Sequence, residues 1–119
     1  MAWEVSDSRP IYIQIGEIIL TKILSGEFAS GSKLPSVREL SAMAGVNPNT
    51  LQKALGDLEG KGIIITRSTS GKFITDDTAA IVRAKNQLAD SYITEYYRRM
   101  AGLGFDCEAA ARYFSERAQ

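Results

Sequence analysis

The strongest constraint on this chain is the punctuation of residues 33–74, where caps and breakers fix how the backbone is divided. Pro35-Ser36 opens a helical stretch. Ser36 and Glu39 form an S-x-x-E box, in which each side chain satisfies an orphan backbone N–H at a helix start. Val37, Leu40 and Met43 or Ala44 supply the face to be buried. Gly45 offers a left-handed stop. Asn47-Pro48 then starts a second helix at once, asparagine as cap and proline in the first turn, where its missing N–H is not needed. Leu51, Leu55 and Leu58 follow at near-helical spacing, and Gly60 and Gly62 close the helix. Ile63 to Arg67 is β-branched and predicts a strand, with Phe73 to Thr75 as its partner across the polar segment 68–72. A lone two-stranded hairpin is marginal in water, so this one must lean on the helices. A very short third strand is expected around Ser32 to Leu34.

Two short helices meeting at a tight junction, then a hairpin, make a helix-turn-helix with a wing, a shape that fits the DNA major groove. The residue types at the start of the second helix suit that use. Asn47, Asn49 and Gln52 carry amides that can pair bidentately with adenine, and Thr50 can touch a phosphate or a thymine methyl. Asn47 is equally a helix cap, and Pro48 is first of all a helix starter. Arg38 lies off the Val37/Leu40 face of the supporting helix; taken alone it reads as a solvated surface charge, and beside a polar recognition helix as a groove or phosphate contact. Lys53 reads either as a phosphate ligand or as a solvated flank. In the wing, Arg67 and Lys72 bracket Ser68-Thr69-Ser70-Gly71. Small polar residues such as Ser70 and Gly71 between two cations can enter a groove or straddle a phosphate. The alternative is an ordinary turn in which Gly71 supplies a positive φ.

Upstream, Pro10 precedes a stretch in which residues 11, 15, 18, 19 and 23 share one helical face, ended by Ser25-Gly26. Downstream, Asp76-Asp77 caps a helix expected from Thr78 to Ala101, which at about 1.5 Å per residue would run about 36 Å. Its stripe of Ile81, Leu88, Tyr92, Tyr96 and Met100 is followed by a Gly102-Leu103-Gly104 break and a last helix, capped by Asp106, that carries Tyr113 and Phe114. Two helices cannot bury that much apolar surface alone, and a second copy across a two-fold axis is the simplest partner. The expected fold is therefore mainly α with a small β-hairpin. A winged helix-turn-helix domain spans 1–76, and a helical dimerisation region spans 77–119. A small-molecule effector between the dimer helices near Tyr92, Tyr96 and Tyr97 is a secondary expectation.

Composition removes other function classes. The 119 residues hold 14 basic and 14 acidic side chains and no histidine, so the commonest general base and metal ligand are both missing. The acidic pairs Asp76-Asp77 and Asp106/Glu108 sit at helix starts, where they stabilise the dipole. There is no nucleophile–base pair, no metal-ligand cluster and no phosphate loop, so neither catalytic nor metal residues nor a cofactor are expected. Cys107 is the single cysteine, expected as a small buried hydrophobe in a chain suited to a reducing cytosol. No apolar run approaches the length of a membrane span. The balanced charge keeps open the alternative of a winged-helix protein-interaction module without specific DNA binding.

Several motifs stand in a telling order: Pro10-Ile11-Tyr12-x-Gln14-Ile15, Ser25-Gly26, Leu34-Pro35-Ser36-Val37-Arg38-Glu39-Leu40, Val46-Asn47-Pro48-Asn49-Thr50, Lys53-Ala54, Leu58-Glu59 and Gly62. As an ordered set they resemble the winged-helix domain of GntR-type bacterial transcriptional regulators, over residues 10 to 75. The short two-helix tail is similar to the YtrA-like subfamily. That resemblance implies a tail that mainly dimerises the protein, and a homodimeric repressor acting on a pseudo-palindromic, double-stranded DNA operator near its own gene or a transporter operon. It also implies operator contacts from Arg38, Asn47 to Thr50, Gln52 and the wing tip near Gly71. The family's wing usually reads G-x-G-x-F, whereas Thr69-Ser70-Gly71-Lys72-Phe73 keeps only the second glycine.

Overall fold

The computed structural model describes residues 2–118. In chain order it forms α1 (Ile11–Leu24), α2 (Val37–Ala44), α3 (Pro48–Gly60), β1 (Ile64–Arg67), β2 (Gly71–Ile74), α4 (Thr78–Gly102) and α5 (Cys107–Arg117). The chain divides into two compact units, residues 1–85 and 86–119. The first unit runs past residue 76 into α4, where Ala80 and Ala84 are buried.

In the first unit the local signals set the element ends. Ser36 Oγ accepts from the Glu39 N–H at 3.1 Å while the Glu39 carboxylate accepts from the Ser36 N–H at 3.0 Å, so the capping box is complete. Gly45 ends α2 at φ +70°. There an L side chain would be strained, and an added Cβ would also lie 2.7 Å from the Ala2 Cβ. Asn47 Oδ1 accepts from the Asn49 N–H at 2.8 Å, with Pro48 in the first turn of α3. The buried face of α2 is completed by Ala44, with Met43 exposed.

These helices share one core. Both α1 and α2 pack on α3, which also meets β1. Ile15, Ile19, Leu40, Leu51, Leu55, Ile63 and Ile74 are the largest fully buried side chains. Each such Leu or Ile contributes about 1.5–3 kcal/mol by leaving water. The hairpin pairs Ile64 with Ile74 and Arg67 with Gly71 in antiparallel register. A 3-10 turn over Ser68–Ser70 connects the strands, so Gly71 and Lys72 belong to β2 and the expected five-residue turn is shorter. The turn's positive φ falls on Ser68 (φ +41°) as well as on Gly71 (φ +102°). The expected third strand is a single bridge, Lys33 to Phe73.

Sequence reading assigned no structural task to Gln14, yet it is buried and pins the N-terminal arm. Its amide N–H groups donate to Ser6 O and Arg9 O, each at 2.8 Å, and its Oε1 accepts from the Ser6 N–H at 2.8 Å. The arm continues to the end of α2, where the Trp3 N–H donates to Ala44 O at 3.1 Å.

In the second unit the later part of α4 and all of α5 form a helical hairpin. Asp106 caps α5 by accepting from the Ala109 N–H at 2.8 Å. The Tyr96 hydroxyl donates to Ala110 O at 2.7 Å, and the Tyr96 ring stands edge-on to Tyr97 and Phe114. Glu95 accepts hydrogen bonds from Arg98 and then Arg99, which hold its carboxyl at about 2. Met100, expected on a dimer face, is instead buried within its own chain, as is Ala110 where α5 folds back. Cys107 is exposed in the first turn of α5, contrary to the expected buried hydrophobe, because that turn faces solvent.

Candidate nucleic-acid interface

The start of α3 presents a polar surface whose side chains are largely unspent. Asn49, Gln52 and Lys53 follow at i, i+3 and i+4, which makes them neighbours on the helix surface. Asn49 and Gln52 are exposed, and among the described residues neither side chain makes a hydrogen bond. Arg38, exposed on α2, likewise makes no hydrogen bond or ion pair there. Asn47 resolves as the cap, Pro48 is exposed beside it, and Thr50 is half-buried.

The longer cations behave differently. Lys53 Nζ sits 4.1 Å from the centre of the Tyr12 ring, a cation–π contact that ties it to α1. The Arg67 guanidinium lies 4.7 Å from the Phe73 ring centre. Lys72 donates to the Glu59 carboxylate at the end of α3 and, at 2.9 Å, to Thr66 Oγ1. The Lys72 hydrogen bond holds the Glu59 carboxyl below the usual range, so the carboxylate is ionised at neutral pH. Arg67 and Lys72 flank the turn as expected, the first lying on an aromatic ring and the second bracing the wing.

A notch of about 690 Å³ separates the wing from the start of α2, and Lys33, Ser36, Thr69, Ser70 and Gly71 are among its lining residues. It brings together the wing residues Ser70 and Gly71 that the sequence singled out. Lys33, which the sequence reading passed over, joins them.

On the second unit, Tyr92, Ile93, Tyr96, Tyr97 and Phe114 line an open apolar cavity of about 500 Å³. Of the other residues expected on a dimer face, Tyr92, Tyr113 and Phe114 are exposed, whereas Ile81 and Leu88 are half-buried. Tyr96 is half-buried and spends its hydroxyl inside the hairpin. Among the described residues no group of His, Cys, Asp or Glu could hold a metal ion. No helix there is long and apolar enough to cross a membrane.

Comparison with known proteins agrees with this geometry. The model of the family described as "Bacterial regulatory proteins, gntR family" matches residues 11–74, more than half of the chain. The chain is 37% identical over 103 residues to the HTH-type transcriptional repressor YtrA of Bacillus subtilis, covering 87% of this chain and 75% of that protein. A GntR family transcriptional regulator from Listeria monocytogenes superposes with a TM-score of 0.78 at 37% identity, covering 94% of this chain and 98% of that one. The DNA-binding domain of AraR, solved in complex with an operator, superposes with a TM-score of 0.55 at 30% identity over 63% of this chain and 92% of that one. The chain thus belongs to the GntR family of bacterial regulatory proteins, and is a DNA-binding transcriptional regulator with a winged helix-turn-helix and a YtrA-type two-helix tail.

Proposed function

We propose that this regulator is a homodimeric repressor that sets two winged helices on a pseudo-palindromic operator, near its own gene or a transporter operon. The observation that carries this reading is the unspent polar surface of Arg38, Asn49 and Gln52, exposed on adjoining helices with no partner among the described residues. Such groups are suited to base edges and phosphates. The balanced overall charge leaves little non-specific attraction, so recognition must come from these local contacts. AraR binds its operator through a domain of the same fold, and YtrA is a repressor. In this reading Arg38 and Asn49 lead, with Asn47, Pro48, Thr50 and Gln52 completing the helix contacts and Ser70 and Gly71 the wing contacts.

The region from residue 77 onward dimerises the protein. Tyr92, Ile93 and Phe114 are more than half exposed, an apolar surface suited to burial against a second copy. A small effector in the cavity beside Tyr92 and Tyr97 would compete with that burial. Titrating candidate ligands against tyrosine fluorescence checks for it, and no saturable change speaks against an effector.

The test of the operator is a gel-shift with the DNA immediately upstream of the chain's own gene, with unrelated DNA in excess. Competitor-resistant binding supports the reading. Binding that is sequence-blind and lost with modest salt points to a winged helix used for protein contacts instead.

A further inference from the structure

Lys33 lies in the segment between α1 and α2, and its backbone is fixed beside β2. The Leu34 N–H donates to Lys72 O and the Ile74 N–H to Ser32 O, each at 2.8 Å. From that position its side chain runs over Gly71. A Cβ added at Gly71 would lie 3.0 Å from Lys33 Cε and 3.7 Å from Nζ, so the glycine leaves room for the lysine stem as well as supplying φ +102°. The Lys33 ammonium makes no hydrogen bond or ion pair within 4 Å among the described residues. Its field reaches Glu39, but that carboxylate is already held chiefly by the Ser36 backbone N–H. Thr69 and Ser70 also line the notch beside it, and their hydroxyls have no partner among the described residues. Lys72, by contrast, is committed to Glu59 and Thr66.

An exposed cation with a packed stem, next to two free hydroxyls in an open notch, suits a phosphodiester oxygen. We infer that Lys33, with Thr69 and Ser70, holds a DNA backbone phosphate in the notch between wing and α2, and that Lys72 is a positioning residue bracing the wing against α3 through Glu59. The inference rests on the DNA-binding reading and deepens it. It moves the charge contact of the wing from the hairpin itself to the segment that runs beside it.

The experiment uses the full chain and a duplex that it enriches from random sequence, with affinity measured from low to high salt. Lys33→Met keeps the stem over Gly71 and removes the charge. It should weaken binding about tenfold at low salt and make the slope of log affinity against log salt shallower by about 0.9, the signature of one lost phosphate contact. Lys72→Met should lower affinity with the slope unchanged. Glu59→Gln should lower it by a similar factor, and the double variant no further than either, because both break one brace. A cooperative thermal unfolding transition shows that each variant folds. The inference is overturned if Lys33→Met leaves affinity and slope intact, if Lys72→Met is the change that flattens the slope, or if Glu59→Gln tightens binding by freeing Lys72. A wild-type chain that enriches no duplex overturns the DNA-binding reading itself, and the inference with it. Wild-type binding that Lys33→Met does not alter overturns the inference alone.

Discussion

Residues 1–85 and 86–119 spend their apolar side chains in opposite ways. In the first unit Ile15, Ile19, Leu40 and Leu51 are wholly buried. In the second, Met100 and Ala110 are buried while Tyr92, Ile93 and Phe114 stand 56%, 54% and 61% exposed. The polar groups invert this pattern. Among the described residues the first unit leaves Arg38, Asn49 and Gln52 without partners, whereas the tail ties Glu95 to two arginines and the Tyr96 hydroxyl to a carbonyl. A unit that closes its own core and leaves polar groups free is built to meet a polar ligand. In the proposed reading, the exposed aromatics of the tail meet a second copy.

The contrast can be broken most sharply at Leu51. Leu51→Ala removes a wholly buried side chain from α3 and should cost about 2–5 kcal/mol in denaturant unfolding. A loss under about 1 kcal/mol would mean the first unit's core is not its own source of stability. In the tail, Tyr92→Arg should leave the winged helix folded yet weaken the dimer by about 2 kcal/mol or more. The mass by light scattering should fall toward one chain, and an unchanged mass refutes that interface. Arg38→Ala and Asn49→Ala should each weaken operator binding by about 1–3 kcal/mol while leaving unfolding unaffected. If neither weakens binding, the assignment of the reading surface is wrong.

Gly45→Ala sharpens the picture on the side of the fold. It combines a strained φ with a crowded Ala2 and should destabilise the first unit by about 1–2 kcal/mol in thermal unfolding. The smallest effect concerns pH. The folded Glu59 carboxyl is lowered from 4.5 by the Lys72 hydrogen bond, so the brace contributes fully above about 4.5 and is lost as pH falls through the lowered value. Affinity for DNA should therefore show no dependence on this group between pH 6 and pH 8, and Glu59→Gln should abolish its share of the acid-induced loss of stability below about pH 4.5.

Local chemistry explains which of these features were legible in the sequence. Ser36 with Glu39, Asn47-Pro48, Gly45 and Asp106 act within a few residues of themselves, and each does in the fold what its motif implies. The helix from Thr78 was legible to within one residue of its end for the same reason. Long cations were not legible, because their partners are chosen by tertiary placement. Tyr12 takes Lys53, Phe73 takes Arg67, and Glu59, 13 residues away, takes Lys72. Lys33 was invisible for the converse reason, since only the packing beside β2 gives it a place at the wing. Periodicity marked Met100 as part of an apolar stripe, but it could not tell an intrachain hairpin from an interchain one.

The most direct test of a paired, sequence-reading regulator is to let the full chain enrich duplexes from a random library and to read the symmetry of what it keeps. The account predicts an inverted repeat whose half-sites lie one helical turn, about 34–36 Å, or a multiple of it apart, as two heads joined by their tails require. No enrichment, or a single half-site bound with full affinity, would contradict it.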